Sequence, residues 1–274
     1  MRNMFNAAAT MGQMQQRMDL TSNNLSNINN HGYKAREGQF SSLLYQQHDN
    51  ILDYDQDSPR LTPDGIRVGA GARLSNTNMN MTSGTIEPSD RPLDVAIQDD
   101  FRFFVVNAPT EEGEVEERYT RAGNFYLSEQ ADGSMMLTTN AGYPVEGQDG
   151  PITLDGEFDD ISINESGEVT VTRDGDQAVE ATLQLVDIEN SRVMEPVDAN
   201  SFTINEEDLE VPVEELVAEV APIDANLAPS ALEGSNVNMS KEMTDLLEAQ
   251  RSYQFNARSL SIGDQMMGLI GNMR

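Results

Sequence analysis

Only two histidines, His31 and His48, could exchange a proton near neutral pH, and neither stands in a Ser/His/Asp or metal-ligand spacing. An exposed or capping role accounts for both. Cysteine is absent, which removes thiol catalysis, thiolate-held metal and disulfide bridging. Asp53, Asp55 and Asp57 open like a calcium loop, but its sixth position is Ser58 instead of glycine and its twelfth is Asp64 instead of a bidentate glutamate. Carboxylate pairs such as Asp159-Asp160 arise by composition in a chain of 47 acidic residues, and a glycosidase would need two of them flanking one cleft. We therefore expect no catalytic residue, no metal and no cofactor. Three classes stay open on the residues alone: a structural filament subunit, a wall-cutting hydrolase acting through carboxylates, and a calcium-binding surface protein.

The elements behind these residues are marked first by charge. A net charge of −30 over 274 residues repels nucleic-acid phosphates and anionic lipid, so neither is expected as a partner. The charge is unevenly placed. Met1–His48 carries four basic and two acidic residues, Asn236–Arg274 four and four, and the middle nine and 41. A solvated surface tolerates that repulsion and a packed interface does not, so the middle reads as wet and the ends as facing protein. No apolar run approaches the roughly 20 residues of a membrane helix. The first twenty residues, broken by Asn6, Thr10, Gln13, Gln15, Gln16 and Arg17, lack the apolar core of a cleavable secretory signal.

Both ends carry a heptad seam. Met4, Ala7, Met11, Met14, Met18, Thr21, Leu25 and Ile28 alternate spacings of three and four, as do Met239, Met243, Leu246, Gln250, Tyr253, Ala257, Leu260, Asp264 and Met267. Such stripes cannot be buried by an isolated helix, so the two terminal helices are expected to pair as a coiled coil and to offer a polymerisation interface. Its candidate residues are Met4, Met11, Met14, Met18, Leu25, Ile28, Met239, Met243, Leu246, Tyr253, Leu260 and Met267. Ten of the 15 methionines lie in these ends, and methionine suits surfaces that pack in several slightly different environments.

Between the ends the period falls to two, as in Ile161/Ile163, Val169/Val171 and Leu183/Leu185, with turns at Asp132-Gly133, Asp149-Gly150, Asp155-Gly156, Ser166-Gly167 and Asp174-Gly175. Phe103 to Val106 and Phe125, Tyr126, Leu127 read as buried strands. The expected class is α+β: a mainly antiparallel, acidic β-domain over 91–205, inserted between terminal helical regions 1–48 and 236–274. Pro- and Gly-punctuated extended connectors are expected over 49–90 and 206–235.

The string at 15–36, QQRMDLTSNNLSNINNHGYKAR, resembles the N-terminal signature of the bacterial flagellar basal-body rod and hook family through Asn23, Asn24, Leu25, Asn27, Gly32, Tyr33 and Lys34. Near the other end Glu233, Ser235, Asn236, Val237, Glu242, Ala249, Gln250, Arg251, Tyr253 and Ala257 look like its closing signature. Leu93 to Ile97, Phe103-Phe104 and Tyr119 to Phe125 resemble its central block. The stretch 40–74 looks most like the distal-rod branch. One departure is visible: the family shows Gly-x-Gly ahead of its Phe-Phe pair, and here Asp99, Asp100, Phe101 and Arg102 stand there, leaving that turn open.

The resemblance implies a structural, non-enzymatic subunit of the flagellar basal body, homo-oligomeric in a helical tube that carries torque from motor to hook. It implies export through the flagellar apparatus without a cleaved signal, and neighbouring rod and hook proteins as partners. Membrane insertion is not expected.

Overall fold

The computed structural model describes residues 2–42, 45–48, 66–69, 72–109, 115–154, 156, 158–205, 212–213 and 216–272. Asp53, Asp55, Asp57, Ser58 and Asp64 lie outside the described residues. Among the described residues the chain forms two α-helices, one near each end, around a mainly antiparallel β region, which is the expected α+β class.

By compactness it divides into two units, one comprising 1–23, 37–77 and 240–274, the other 24–36 and 78–239. In the first lie most of α1 (Arg2–Ser26) and of α2 (Met239–Asn272). Arg17 of α1 pairs with Asp245 of α2 at 2.9 Å, and Met4 packs where α2 has Gly263, so the helices touch while running in opposite directions. The strand Tyr45–His48 pairs antiparallel with Ile66–Gly69, and Arg36–Ser42 pairs with Ala72–Met79.

The second unit is built on a six-stranded antiparallel sheet. In spatial order its strands are Met194–Pro196, Ser201–Ile204, Val115–Thr120, Arg102–Pro109, Leu185–Asp187 and Ala218–Glu219. Both faces of its centre are covered. Successive side chains of a strand point to opposite faces, so Phe103 and Val105 enter one core with Tyr119, Ile188 and Phe202. Phe104 and Val106 enter the other with Phe125, Leu137, Val169 and Leu185. That explains a run of four consecutive apolar residues, which a one-faced sheet would not use. Edge-to-face ring pairs occupy both cores, Phe103–Phe202 at 6.0 Å and Phe104–Phe125 at 5.1 Å.

The turn reading holds at Asp132-Gly133, Ser166-Gly167 and Asp174-Gly175, while Asp155 lies outside the described residues. Asp174 and Gly175 both have positive φ, the signature of the tight turn whose twist matches a hairpin, and they join Glu168–Arg173 to Asp176–Thr182. Gly133 and Gly167, also at positive φ, close the hairpins on either side of them in sequence. One expectation is corrected: Phe125 is fully buried, but Tyr126 is exposed and Leu127 only partly covered. The strand Tyr126–Glu129 lies at the edge of its sheet with Tyr126 and Ser128 in solvent, and the guanidinium of Arg91 stacks 4.4 Å from the Tyr126 ring centre.

Candidate functional site

In the second unit, segments far apart in sequence close on one buried carboxylate. Glu233 lies on the short strand Ala231–Glu233, paired with Ile86–Pro88. One of its oxygens accepts from Lys34 Nζ at 2.8 Å and from the Gly84 N–H at 2.8 Å, and the other accepts from Arg121 Nε at 2.8 Å. Side chains of all three charged residues are at most 1% exposed. Removing such charges from water costs several kcal/mol each and is offset only by close pairing and full hydrogen bonding.

The remaining donors are spent on carbonyls and one hydroxyl. Lys34 donates to the Thr82 and Met81 oxygens at 2.9 and 3.3 Å. Arg121 donates to the Asp99 and Arg102 oxygens, both at 2.9 Å, and to Ser83 Oγ. Burial, and after it the Arg121 charge, pushes the Lys34 amine down to about 8. Burial alone would raise Glu233, but Arg121 and Lys34 overcome it and hold the carboxyl below its ordinary value.

The flanking residues are placed by local necessity. Gly32 takes a left-handed φ of 71°, and a Cβ there would lie 2.6 Å from the Arg121–Ala122 backbone. Its N–H donates to the Glu233 carbonyl at 2.9 Å. Asn24, buried, accepts through Oδ1 from the Tyr33 hydroxyl at 3.1 Å and the Arg36 N–H at 3.0 Å, and donates to the Arg36 carbonyl at 2.9 Å. Asn236 accepts from the Ala35 N–H at 2.7 Å and donates to the Asn80 and Thr82 carbonyls. Ile28 and Ala199 pack on the small core of Tyr33, Ala35 and Val237.

Ahead of Phe103-Phe104 the chain turns with Phe101 at φ 62°, a conformation uncommon for a bulky residue. The turn is held by the Ile188 N–H on the Phe101 carbonyl and by Arg102, which pairs with Asp187 and Asp99 and donates to the Asp224 and Ala225 carbonyls.

Of the expected polymerisation residues, Met4, Met11, Met14, Met18, Leu25, Ile28, Leu246, Tyr253 and Leu260 are partly covered, whereas Met239, Met243 and Met267 are exposed. Among the described residues the buried positions of α2 are Glu242, Ala249 and Gly263, adjacent to the spacing read from the apolar residues. Gln250, Arg251 and Asn23 are exposed, and so are Leu247, Phe255, Ile262, Met266 and Leu269. His31 is partly buried with Nδ1 unpaired, and His48 lies in the strand Tyr45–His48.

The buried knot draws one charged residue from each of the three sequence blocks that carry the resemblance, and comparisons with known proteins follow the same blocks. The family model described as flagellar hook protein FlgE/F/G D1 domain matches residues 96–171, and that described as flagellar basal body rod FlgEFG protein C-terminal matches 228–273. The chain is 35% identical to the flagellar hook-basal body complex protein FlhP of Bacillus subtilis, with all of both chains covered. It belongs to the flagellar rod and hook protein family. Another member, the basal-body rod protein FlgG of Caulobacter vibrioides, is 32% identical over 98% of this chain and 97% of its own. The Bacillus subtilis FlgG is 27% identical over 100% of this chain and 99% of its own.

Within this rod and hook family member, sequence reading found Asn24, Gly32, Tyr33, Lys34 and Asn236 as motif residues. It placed Arg121, Gly123 and Glu233 in the resembling blocks without reading the two charged residues as ionic partners of Lys34 or Gly123 as a close passage, and it did not name Gly84. The backbone passes so close at these two glycines that an added Cβ would lie 1.9 Å from the Gly234 oxygen and 1.7 Å from the Val95 oxygen. The available signal was a charge inside each block beside small or apolar residues, as in Tyr33-Lys34, Arg121-Ala122-Gly123 and Leu232-Glu233-Gly234.

Proposed function

We propose that this chain is a structural axial subunit of the flagellar basal body, of the distal-rod type, polymerising with copies of itself into a helical tube that passes torque from motor to hook. The observation that carries the reading is likeness from end to end to basal-body rod proteins, joined to the apolar side chains that α2 leaves in solvent. At about 100° per residue, Leu247, Phe255, Ile262 and Leu269 fall on the side of α2 away from Glu242, Ala249 and Gly263. A soluble monomer gains nothing from such a stripe, and a neighbouring subunit would bury it.

In this reading α1 and α2 pair as a coiled coil through Met4, Met11, Met14, Met18, Leu25, Ile28, Met239, Met243, Leu246, Tyr253, Leu260 and Met267, partly within a subunit and partly between copies. Repeated non-closing contacts generate a helix instead of a ring. The acidic region 91–205 faces solvent, 49–90 and 206–235 connect it to the ends, and the flagellar export apparatus delivers the chain. No part of this requires catalysis or a cofactor.

Mass spectrometry and immunogold labelling of purified hook–basal bodies test it. The protein is expected in the rod, and its absence from intact particles would overturn the reading. The likeness to FlhP favours a second reading, a hook–basal-body paralogue at another axial position, and the axial position of the gold label separates the two.

A further inference from the structure

We propose that the β-rich unit carries a binding pocket for a neutral sugar residue, formed where three turns meet beside the central sheet. The inference goes beyond the rod reading and does not rest on it. The pocket has a volume of 100 Å³ and is lined by Asn124, Thr139, Asn140, Tyr143, Asp198 and Asn200, among others.

Its walls are fixed before any ligand arrives. The Thr139 N–H donates to the Tyr143 carbonyl at 2.8 Å and the Gly142 N–H to the Thr139 carbonyl at 2.9 Å, closing one turn. Thr120 Oγ1 donates to the Asn200 carbonyl at 2.7 Å, and the Asp198 N–H donates to the Ser201 carbonyl, closing the second. Asn124 bridges Asp94 through its backbone, which holds the third. Yet the side-chain amides of Asn124, Asn140 and Asn200 have no protein hydrogen-bond partner among the described residues. Each offers two N–H donors and a carbonyl acceptor, and all three residues line the same small concavity.

The ligand class follows by elimination. An apolar guest would strip water from these amides without replacing its hydrogen bonds, at a cost of about 1–3 kcal/mol for each group left unpaired. An anion meets Asp198 and a chain of net charge −30. For a cation Asp198 is the lining carboxylate, and it already accepts from Ser201 Oγ at 3.1 Å and lies 3.7 Å from Arg118. A neutral sugar presents neighbouring hydroxyls that donate and accept together, which is what a carboxamide satisfies. Tyr143 is the aromatic ring of the lining, with the Arg118 guanidinium 5.6 Å from its centre. The volume admits one edge of a pyranose and leaves its remainder in solvent, so millimolar affinity is expected.

The test is a titration of the full-length, nitrogen-15-labelled protein with chitotetraose and, separately, with maltotetraose. Saturable shifts of the Asn124, Asn140 and Asn200 side-chain amide signals are expected. Response to both sugars assigns recognition to the hydroxyls, and response to chitotetraose alone adds the acetamido group. Either supports the pocket. Asn140 is exposed, so Asn140→Ala keeps the fold, and it should weaken binding at least threefold; Asn140→Ala with Asn200→Ala should abolish it at unchanged melting temperature. No saturable amide shift with either sugar, or shifts that survive in the double variant, would overturn the proposal.

Discussion

Two cations share one carboxylate in the knot of Lys34, Arg121 and Glu233, and none of the three reaches water. Glu233→Gln keeps the shape and removes the negative charge bonded to both cations, leaving two desolvated cations facing each other. We expect a loss of about 3–5 kcal/mol in denaturant unfolding. Lys34 carries a second consequence. Its folded value of about 8 lies below its ordinary 10.5, so between these pH values the folded state binds fewer protons than the unfolded one. The cost of its buried charge is therefore fully present below pH 8 and relieved as pH rises toward 10.5, and stability should climb across that window relative to Lys34→Met. Parallel curves for the two proteins in thermal melts would contradict the assignment. Gly123 offers a steric test: a methyl group there meets the Val95 carbonyl at 1.7 Å, backbone against backbone. Gly123→Ala should cost 3 kcal/mol or more, at the upper end of about 1–3 for overpacking, because no rotamer can absorb the clash.

Among the elements, α2 is the one with two different apolar aspects. Its buried positions are small or polar, Glu242, Ala249 and Gly263, which lets the chain approach closely, as Met4 does at Gly263. Its large side chains point elsewhere, with Phe255 71% and Leu269 66% exposed. Phe255→Asp should therefore leave the melting temperature within a degree or two, since surface changes move stability by about 0.5 kcal/mol or less. The same change should prevent assembly, read by sedimentation of polymer and by swimming on soft agar. A variant that unfolds instead would mean that Phe255 is needed inside the subunit.

For the whole molecule, the division into two units suggests where a truncation can fall. Cutting after Asn23 retains the hydrogen bonds of Asn24 to Tyr33 and Arg36 and the packing of Ile28, whereas a cut at Asn30 would discard them. A fragment beginning at Asn24 and ending at Met239 should melt cooperatively as a monomer and fail to polymerise. Undiminished polymerisation of that fragment, measured by sedimentation, would remove the helices from the assembly mechanism.

Much was legible in the sequence because it is set by neighbours along the chain. Alternation marked the strands at 160–163 and 168–173, Asp-Gly pairs marked the hairpin turns, and a three-four spacing marked both helices, since side-chain direction and backbone φ depend on local geometry. The motif residues Asn24, Gly32, Tyr33, Lys34 and Asn236 were visible as well, though not their reasons. Tertiary structure alone decided that Lys34, Arg121 and Glu233 form one buried ionic knot, that Tyr126 lies on an edge, that Gly84 and Gly123 mark close backbone passages, and which aspect of α2 is covered. Each depends on what another part of the chain places opposite, and a one-dimensional pattern records the residue but not the partner that desolvates it, pairs with it or leaves it in water.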